Sequence, residues 1–464
     1  MTLDSLRALA ETSPAPLPRK QWLLLAAATV VCALSRIVTL ARTPWDWDEF
    51  LFMLAVDHFD VAKHHPHPPG FPLFIFGAKI IHVLGVDNFH ALQMMNVLAS
   101  IAIVPVMFFL CRELRMQFST SMFAALLLAF FPNVWFFGGT AFSDVPSMTL
   151  VMLAVALLLA GCRNPRAYVA GAVVLAIAGG FRTQNLLIGI VPLLLASTFQ
   201  IRRGLGRVLI AAVVIVAIVG ASYGIAASMT GWSSYAETIR LHSRFIMTTD
   251  SFRSPLRPPL WRVAEDFFIK PYQAPLINTI VTFFAAVSLA ASIIKRRVHV
   301  LVAIGAFAPF CLFAWLMLDR LSASRFSIGY APLIAILAAD GVRLIMRSAI
   351  AEALVEAIVL IVMIAWAWPA FADLSHTTSP AAAAAGWIRE HADPRTTTIH
   401  VDESMGPAAE WYLPEYRRDA AKPVYELREG RVRGAVVTFA HPRDRLWKIV
   451  RRRYFEVSVV KPSA

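Results

Sequence analysis

Residues 21–52 read QWLLLAAATVVCALSRIVTLARTPWDWDEFLF. A mostly apolar run, Gln21 to Leu40, is followed closely by three acids, Asp46, Asp48 and Glu49. About twenty apolar residues can satisfy their own backbone polar groups inside a bilayer, so this run reads as a membrane-spanning helix. It follows a short polar start containing Arg7, Arg19 and Lys20, and no small-residue cleavage site precedes TPWDWDEF. It is therefore read as a retained anchor and not a signal peptide.

The same pattern recurs along the chain. With 58% hydrophobic and 16% charged residues, the 464-residue sequence cannot cover a soluble globular surface. Further spans are predicted at about 89–111, 118–137, 143–161, 166–181, 184–200, 207–229, 275–294, 298–317, 327–346 and 349–369, eleven in all. The pair on either side of GGFRTQN reads equally as one kinked hairpin. Residues 69–85, with Lys79 and His82, read as an interfacial helix. Cys32, Cys111, Cys162 and Cys311 fall in or beside apolar runs, which implies neither a disulfide framework nor a CxxC metal site.

The net charge of +13 suits cytosolic anchors and contacts to anionic membrane lipids better than nucleic acid, which is not expected as a partner. From a cytosolic N-terminus, the inside loops carry Arg112 and Arg115, Arg163 and Arg166, Arg202, Arg203 and Arg207, Lys295 to Arg297, and Arg343 and Arg347. One missed span would break that series. The expected location is the inner (cell) membrane, multi-pass. WDWDEF, HPHPP, GTAFSDVP, FRTQN, residues 230–274, DRLSASRF and the whole C-terminus then face outside, the periplasm in a bacterium.

Residues 371–464 have ordinary polarity. An Ala-rich helix leads into GWIREH, followed by strand-like TTTIHV, helix-like PAAEWYL and strand-like GAVVTFA. A small extracytoplasmic α/β domain is expected there, after a multi-span domain over residues 1–370. No GxGxxG or Walker motif marks a nucleotide site.

The acids after the first span carry the chemistry. A carboxylate at a low-dielectric boundary can act as a general base, while Asp with acids in the next turn also caps a helix. Asp46-Trp47-Asp48 spells DxD, a chance match in the absence of a nucleotide-binding fold. An Asp-Glu pair outside the first span, a His-Pro-Pro about twenty residues on, and an acid opening the fourth span together resemble the GT-C membrane glycosyltransferases. Within these, the closer likeness is to the branch of protein O-mannosyltransferases, the lipid A aminoarabinose transferase and related lipopolysaccharide sugar transferases. The resemblance covers roughly residues 20–370, and loosely the external domain.

It implies a polytopic α-helical fold that moves a sugar, with inversion, from a polyprenyl-phosphate carrier to a hydroxyl on a glycolipid such as lipid A, a glycan or a protein. Asp48 would be the base, with Glu49 orienting it or the acceptor, and Asp144 of AFSDVP would match the acid after the third span. HPHPPGFP, which includes His67, is richer in histidine than the usual HPP pattern. Phe326 stands where an Arg-Tyr pair is common, which leaves the donor's identity open.

A lipid-phosphate leaving group needs fixed cations near the membrane surface. Arg182 and Gln184 lie in the tight turn between two spans, Arg320 and Arg325 flank the tenth, and Arg36 sits one turn inside the first. Each arginine has a second reading as a snorkelling anchor. His64, His65 and His67 are spaced closely enough to suggest zinc, but Pro66, Pro68 and Pro69 favour a loop shaping the cavity mouth, and no cofactor is expected. Trp232, Tyr235, His242, Arg244, Phe245, Trp261 and Arg262 compose either a sugar- or lipid-binding lid or an interfacial belt. The competing classes are a lipid or glycan transporter and a silent scaffold of the same fold. Acids at helix ends and an odd number of spans favour the enzyme over the transporter.

Overall fold

A computed structural model describes residues 3–271, 274–419, 421–442, 444–450 and 454–462. The parts of the expected external segment and C-terminal domain at 272–273, 420, 443, 451–453 and 463–464 lie outside the described residues. Helices form where apolar runs were expected: Arg19–Ile37, Asn88–Glu113, Phe118–Phe130, Asp144–Gly161, Pro165–Phe181, Leu186–Ile201, Leu205–Thr230, Pro275–Ile294, Val298–Met317, Ala331–Ile345 and Ala349–Leu374.

Among the described residues nine helices are long and apolar enough to cross a membrane, against eleven expected. The two that fall short are Phe118–Phe130 and Pro165–Phe181. Pro132 interrupts the first, because proline lacks an N–H and clashes with the preceding turn, and a short helix Pro132–Phe137 resumes after it. The second has 17 residues. At 1.5 Å each they reach about 26 Å, short of a hydrocarbon core of about 30 Å. The Pro72–Val83 helix, at 12 residues, is shorter still, in line with its exclusion from the expected spans.

Glycine lets the helices approach closely where the bundle is tightest. A Cβ on Gly161 would lie 2.8 Å from Tyr168 Cα, across the turn joining Asp144–Gly161 to Pro165–Phe181. One on Gly341 would overlap the Phe284 carbonyl, at 2.6 Å from its carbon. Near that contact, Asp340 accepts from Arg297 Nη2 at 2.8 Å and from Ser288 Oγ at 2.6 Å, tying three helices together.

The two ends of the bundle differ in charge. At one end Arg163 Nη2 meets Glu113 Oε1 at 2.7 Å, and Arg115 Nη2 donates to Leu9 O at 2.8 Å, drawing in the N-terminal helix Leu3–Glu11. The acids after the first span, and the start of Asp144–Gly161, lie at the other end.

The C-terminal part forms one five-stranded sheet: β1 Thr398–Val401, β2 Arg417–Arg418, β3 Tyr425–Glu429, β4 Val437–Ala440 and β5 Glu456–Val460, in the order β2-β1-β3-β5-β4. β1 pairs in parallel with β2 and β3, whereas β5 pairs antiparallel with β3 and β4. The helices Pro380–His391 and Gly406–Tyr412 and the strands β1 and β4 match the sequence reading; β2, β3 and β5 were not anticipated.

The sheet region packs directly on the acid-bearing loop. Phe50 meets the rings of Tyr412 and Tyr454 at 5.5 and 5.8 Å, and Trp45 meets His441 edge-on at 5.0 Å. His441 Nε2 lies 2.8 Å from Asp373 Oδ2, and the Ser379 N–H donates to Thr43 Oγ1 at 2.9 Å. WDWDEF is thus roofed by protein.

Candidate active site

Asp46 caps the Trp47–Asp57 helix, accepting from the Asp48 N–H at 3.0 Å, and Glu49 completes a capping box. The capping and chemical readings therefore divide among the acids. Glu49 is fully buried. Its Oε2 accepts from the N–H groups of Trp45 at 2.6 Å and Asp46 at 3.0 Å, and its Oε1 accepts from the Ala141 N–H at 2.9 Å. Burial pushes this carboxyl up to about 8, while the three amides pull towards the ionised form. Glu49 thereby pins the WDWDEF loop to the segment that leads into Asp144.

Asp48, one residue earlier, makes different contacts. Its Oδ2 takes Arg325 Nη1, and its Oδ1 lies 3.8 Å from His67 Nδ1. Arg325 uses Nε to reach Asp144 Oδ2 at 2.9 Å, and Asp144 Oδ1 takes Arg182 Nη1 at 2.7 Å. Arg182 also donates to Ser143 Oγ at 3.1 Å.

Asp48, Arg325, Asp144 and Arg182 thus form an alternating chain of charges, each residue less than a tenth exposed. The four come from four separate elements. Asp144 opens its helix, where the N-terminal dipole favours a carboxylate, and Arg182 ends the Pro165–Phe181 helix. Arg325 lies on the short helix Ala323–Phe326 that leads into Ala331–Ile345. Aromatic faces flank both cations: Arg325 sits 4.5 Å from the Phe142 ring and Arg182 5.3 Å from that of Phe71.

The HHPHPPG loop closes one side. His67 is held among Phe52, at 5.5 Å, and Phe71, at 4.7 Å. Burial lowers its basicity to about 3, so it is a neutral imidazole at physiological pH. Its Nδ1 has no hydrogen-bond partner among the described residues. The three loop histidines do not converge: His65 pairs with Glu410 at 3.4 Å, and His64 is exposed. Among the described residues no group of three or more His, Cys, Asp or Glu could hold a metal ion.

The helix Trp232–Phe245 lies over the loop, with Tyr235 Oη donating to Pro69 O at 2.9 Å. Its His242 is near enough to feel the charge of Asp48, although burial and His64 lower its basicity.

Not every expected site residue joins the cluster. Arg36 is fully buried, donating from Nε to Ser100 Oγ at 2.7 Å and from Nη2 to Ala129 O, with Trp135 and Phe130 against its plane. Those contacts make it a bundle cross-link. Arg320, partly exposed, pairs with Asp266 of the 230–274 segment at 3.3 Å. Gln184, half-buried in the turn after Arg182, shows no bond to the cluster among the described residues. Ser143 and Phe142, which were not singled out, both contact its arginines; they lie inside the AFSDVP motif, so their place beside Asp144 was the available signal.

No family model matches the chain, and no characterised protein matches it by sequence. Solved structures do. The chain superposes on ArnT from Cupriavidus metallidurans bound to undecaprenyl phosphate with a TM-score of 0.60 at 13% identity, over 96% of this chain and 100% of that one. For the apo state the values are 0.58 and 12%, over 95% and 99%. Arabinofuranosyltransferase AftD from Mycobacteria gives 0.46 at 15%, over 84% of this chain and 31% of that one, too loose a likeness to argue from. The chain has the GT-C membrane glycosyltransferase fold.

Proposed function

We propose that this protein is an inverting glycosyltransferase that moves a sugar from a polyprenyl-phosphate donor to a hydroxyl acceptor at the outer face of the membrane. The observation that carries the reading is the position of Asp48: a carboxylate aimed by Arg325, beside a neutral imidazole, under a protein roof at one end of the helical bundle. The polyprenyl phosphate class follows from the likeness to ArnT, whose structure holds undecaprenyl phosphate. The outer side follows from the basic clusters at the opposite helix ends.

The chemistry is a single displacement. The acceptor hydroxyl sits between Asp48 Oδ1 and His67 Nδ1 and gives its proton to Asp48 as its oxygen attacks the anomeric carbon. The new carbon–oxygen bond forms opposite the old one, and the sugar–phosphate bond breaks, leaving the electron pair on the phosphate. Burial of the site strengthens each electrostatic contact. A guanidinium has five N–H donors. Asp144 and Ser143 take Nη1 of Arg182, and the remaining donors of Arg182 and Arg325 face the departing phosphate in this reading. Glu49 and Asp144 position the reacting residues without touching substrate. The acceptor is a glycolipid, a glycan or a protein hydroxyl.

The test supplies membranes containing the protein with undecaprenyl-phosphate sugars labelled in the sugar, and counts lipid, glycan and protein fractions separately. Label appearing in one fraction, with the anomeric configuration inverted, supports the reading and names the acceptor class. Movement of intact donor across the membrane without transfer contradicts it in favour of a carrier.

A further inference from the structure

Arg325, the cation that reaches both Asp48 and Asp144, sits on an irregular stretch of chain. Between the long helices Val298–Met317 and Ala331–Ile345 lie three short pieces, Arg320–Ser322, Ala323–Phe326 and Ser327–Tyr330. The first and last are 3₁₀ turns, and the middle one has 4 residues. Helices this short do not hold themselves, because ordering a first turn costs more than its few hydrogen bonds return. A guanidinium that forks between two acids therefore needs its backbone fixed from outside the stretch.

The two ends have their own ties. Asp319 accepts from the Leu321 N–H at 2.9 Å and from Ser322 Oγ at 2.8 Å, and the Tyr330 hydroxyl donates to Phe267 O at 2.6 Å. The middle, on both sides of Arg325, is held from Asn133. This residue is 2% exposed, on the helix Pro132–Phe137. Its Nδ2 donates to the carbonyl of Ser324, immediately before Arg325, at 2.7 Å, and to Ser327 Oγ, shortly after it, at 2.9 Å. Ser327 Oγ donates in turn to Ser324 O at 3.0 Å, closing a triangle of hydrogen bonds beside the arginine's backbone. The Ser324 carbonyl fixes the orientation of the amide, because only its nitrogen can donate.

The segment that begins at Asn133 also sets the acids. Further along it the Ala141 N–H takes Glu49, Phe142 offers its ring to the Arg325 guanidinium at 4.5 Å, and Asp144 receives Arg325 Nε. Residues 133–144 thus hold Arg325 by its backbone at one end and by its side chain at the other.

We infer that Asn133 is a positioning residue, which sets the Arg325 guanidinium between Asp48 and Asp144 without touching substrate. In the glycosyltransferase reading above, on which this rests, Arg325 aims the base and faces the departing phosphate. Leucine at position 133 has a similar size but no donor, so the turn relaxes and the guanidinium leaves its place between the acids. Misplacing a catalytic group by about 1 Å costs up to about 10²-fold in rate.

The variants Asn133→Leu, Arg325→Lys and the two combined test this, each at an equal amount of folded protein. Asn133→Leu should lower kcat by about 10- to 100-fold and leave the KM for donor and acceptor within about twofold of the wild type. In the Arg325→Lys background, where no fork remains to be aimed, the same change should cost less than about twofold. Thermal unfolding supplies a readout that needs no transfer. Asn133→Leu should lower the unfolding temperature less in the Arg325→Lys background than in the wild type, because part of its cost is the loosened pairing of Arg325. A residue that only fills space costs the same in both.

If Asn133→Leu is not recovered folded, Ser327→Ala, which removes another member of the triangle, carries the same test with a smaller effect. An unchanged kcat in an active protein, a kcat loss by the same factor in both backgrounds, or an equal fall in unfolding temperature in both overturns the proposal. Coupled unfolding temperatures in a protein that transfers no sugar support Asn133 as the holder of Arg325 and sink the transferase reading alone.

Discussion

Arg325 Nε stands 2.9 Å from Asp144 Oδ2, and the same guanidinium reaches Asp48 through Nη1. One cation therefore fixes two carboxylates that come from different helices, and it does so where almost no water can screen the pair. Removing it leaves two buried acids facing each other. Arg325→Met is expected to destabilise the protein by about 3–5 kcal/mol and to abolish transfer, since breaking a buried pair strands its partners. Arg325→Lys keeps the charge but cannot fork between both acids, so it should recover part of the stability and little of the activity. Thermal unfolding and transfer assays on the two variants check this.

Glu49 acts through the backbone. Glutamine in its place keeps one acceptor oxygen and turns an amide donor towards N–H groups that need an acceptor. Above about pH 8, where the carboxylate is ionised, Glu49→Gln should cost about 2–3 kcal/mol of stability, read as a lower unfolding temperature, because buried donors are left unsatisfied. A variant as stable as the wild type would contradict the pinning role.

His67 gives a pH prediction with a definite sign. The unfolded chain takes up a proton at this side chain below about 6.5, whereas the folded protein does so only near 3. The unfolded state thus binds more protons between those values, and stability falls as pH drops through that window, by up to about 1.4 kcal/mol per pH unit. His67→Gln should flatten that part of the stability curve. An unchanged slope in the variant would contradict the neutral, buried imidazole.

Gly341 tests the bundle itself. A methyl group there overlaps the Phe284 carbonyl, a backbone atom that cannot swing aside. Gly341→Ala should destabilise by about 1–3 kcal/mol through overpacking. Normal yield and an unshifted unfolding temperature would show that the two helices are less tightly apposed.

Much of this was legible in the sequence, for identifiable reasons. Long apolar runs declare helices, because a bilayer leaves the backbone few alternatives, and the runs ended within a few residues of the observed helix ends. The short helices at Phe118–Phe130 and Pro165–Phe181 were counted as spans because composition does not show how proline at 132 or a tight turn at 182 divides a run. Asp48, Asp144, Arg182 and Arg325 were each marked, since ionisable residues at the ends of spans are conspicuous. Their pairing was not readable: Asp48 and Arg325 are 277 residues apart, and only the packing of four helices brings them together. Arg36 was misleading for the same reason, as its partners Ser100 and the Ala129 carbonyl carry no signature. Strands β3 and β5 were missed because YELRE and EVSVV are short and lie among charged residues.

The central claim is that Asp48 is the base, and the direct measurement is sugar transfer from undecaprenyl-phosphate donors by wild type and Asp48→Asn at equal levels of folded protein. The account predicts a loss of roughly 10²–10⁴-fold in the transfer rate, with donor binding retained. Equal rates in the two proteins would contradict it.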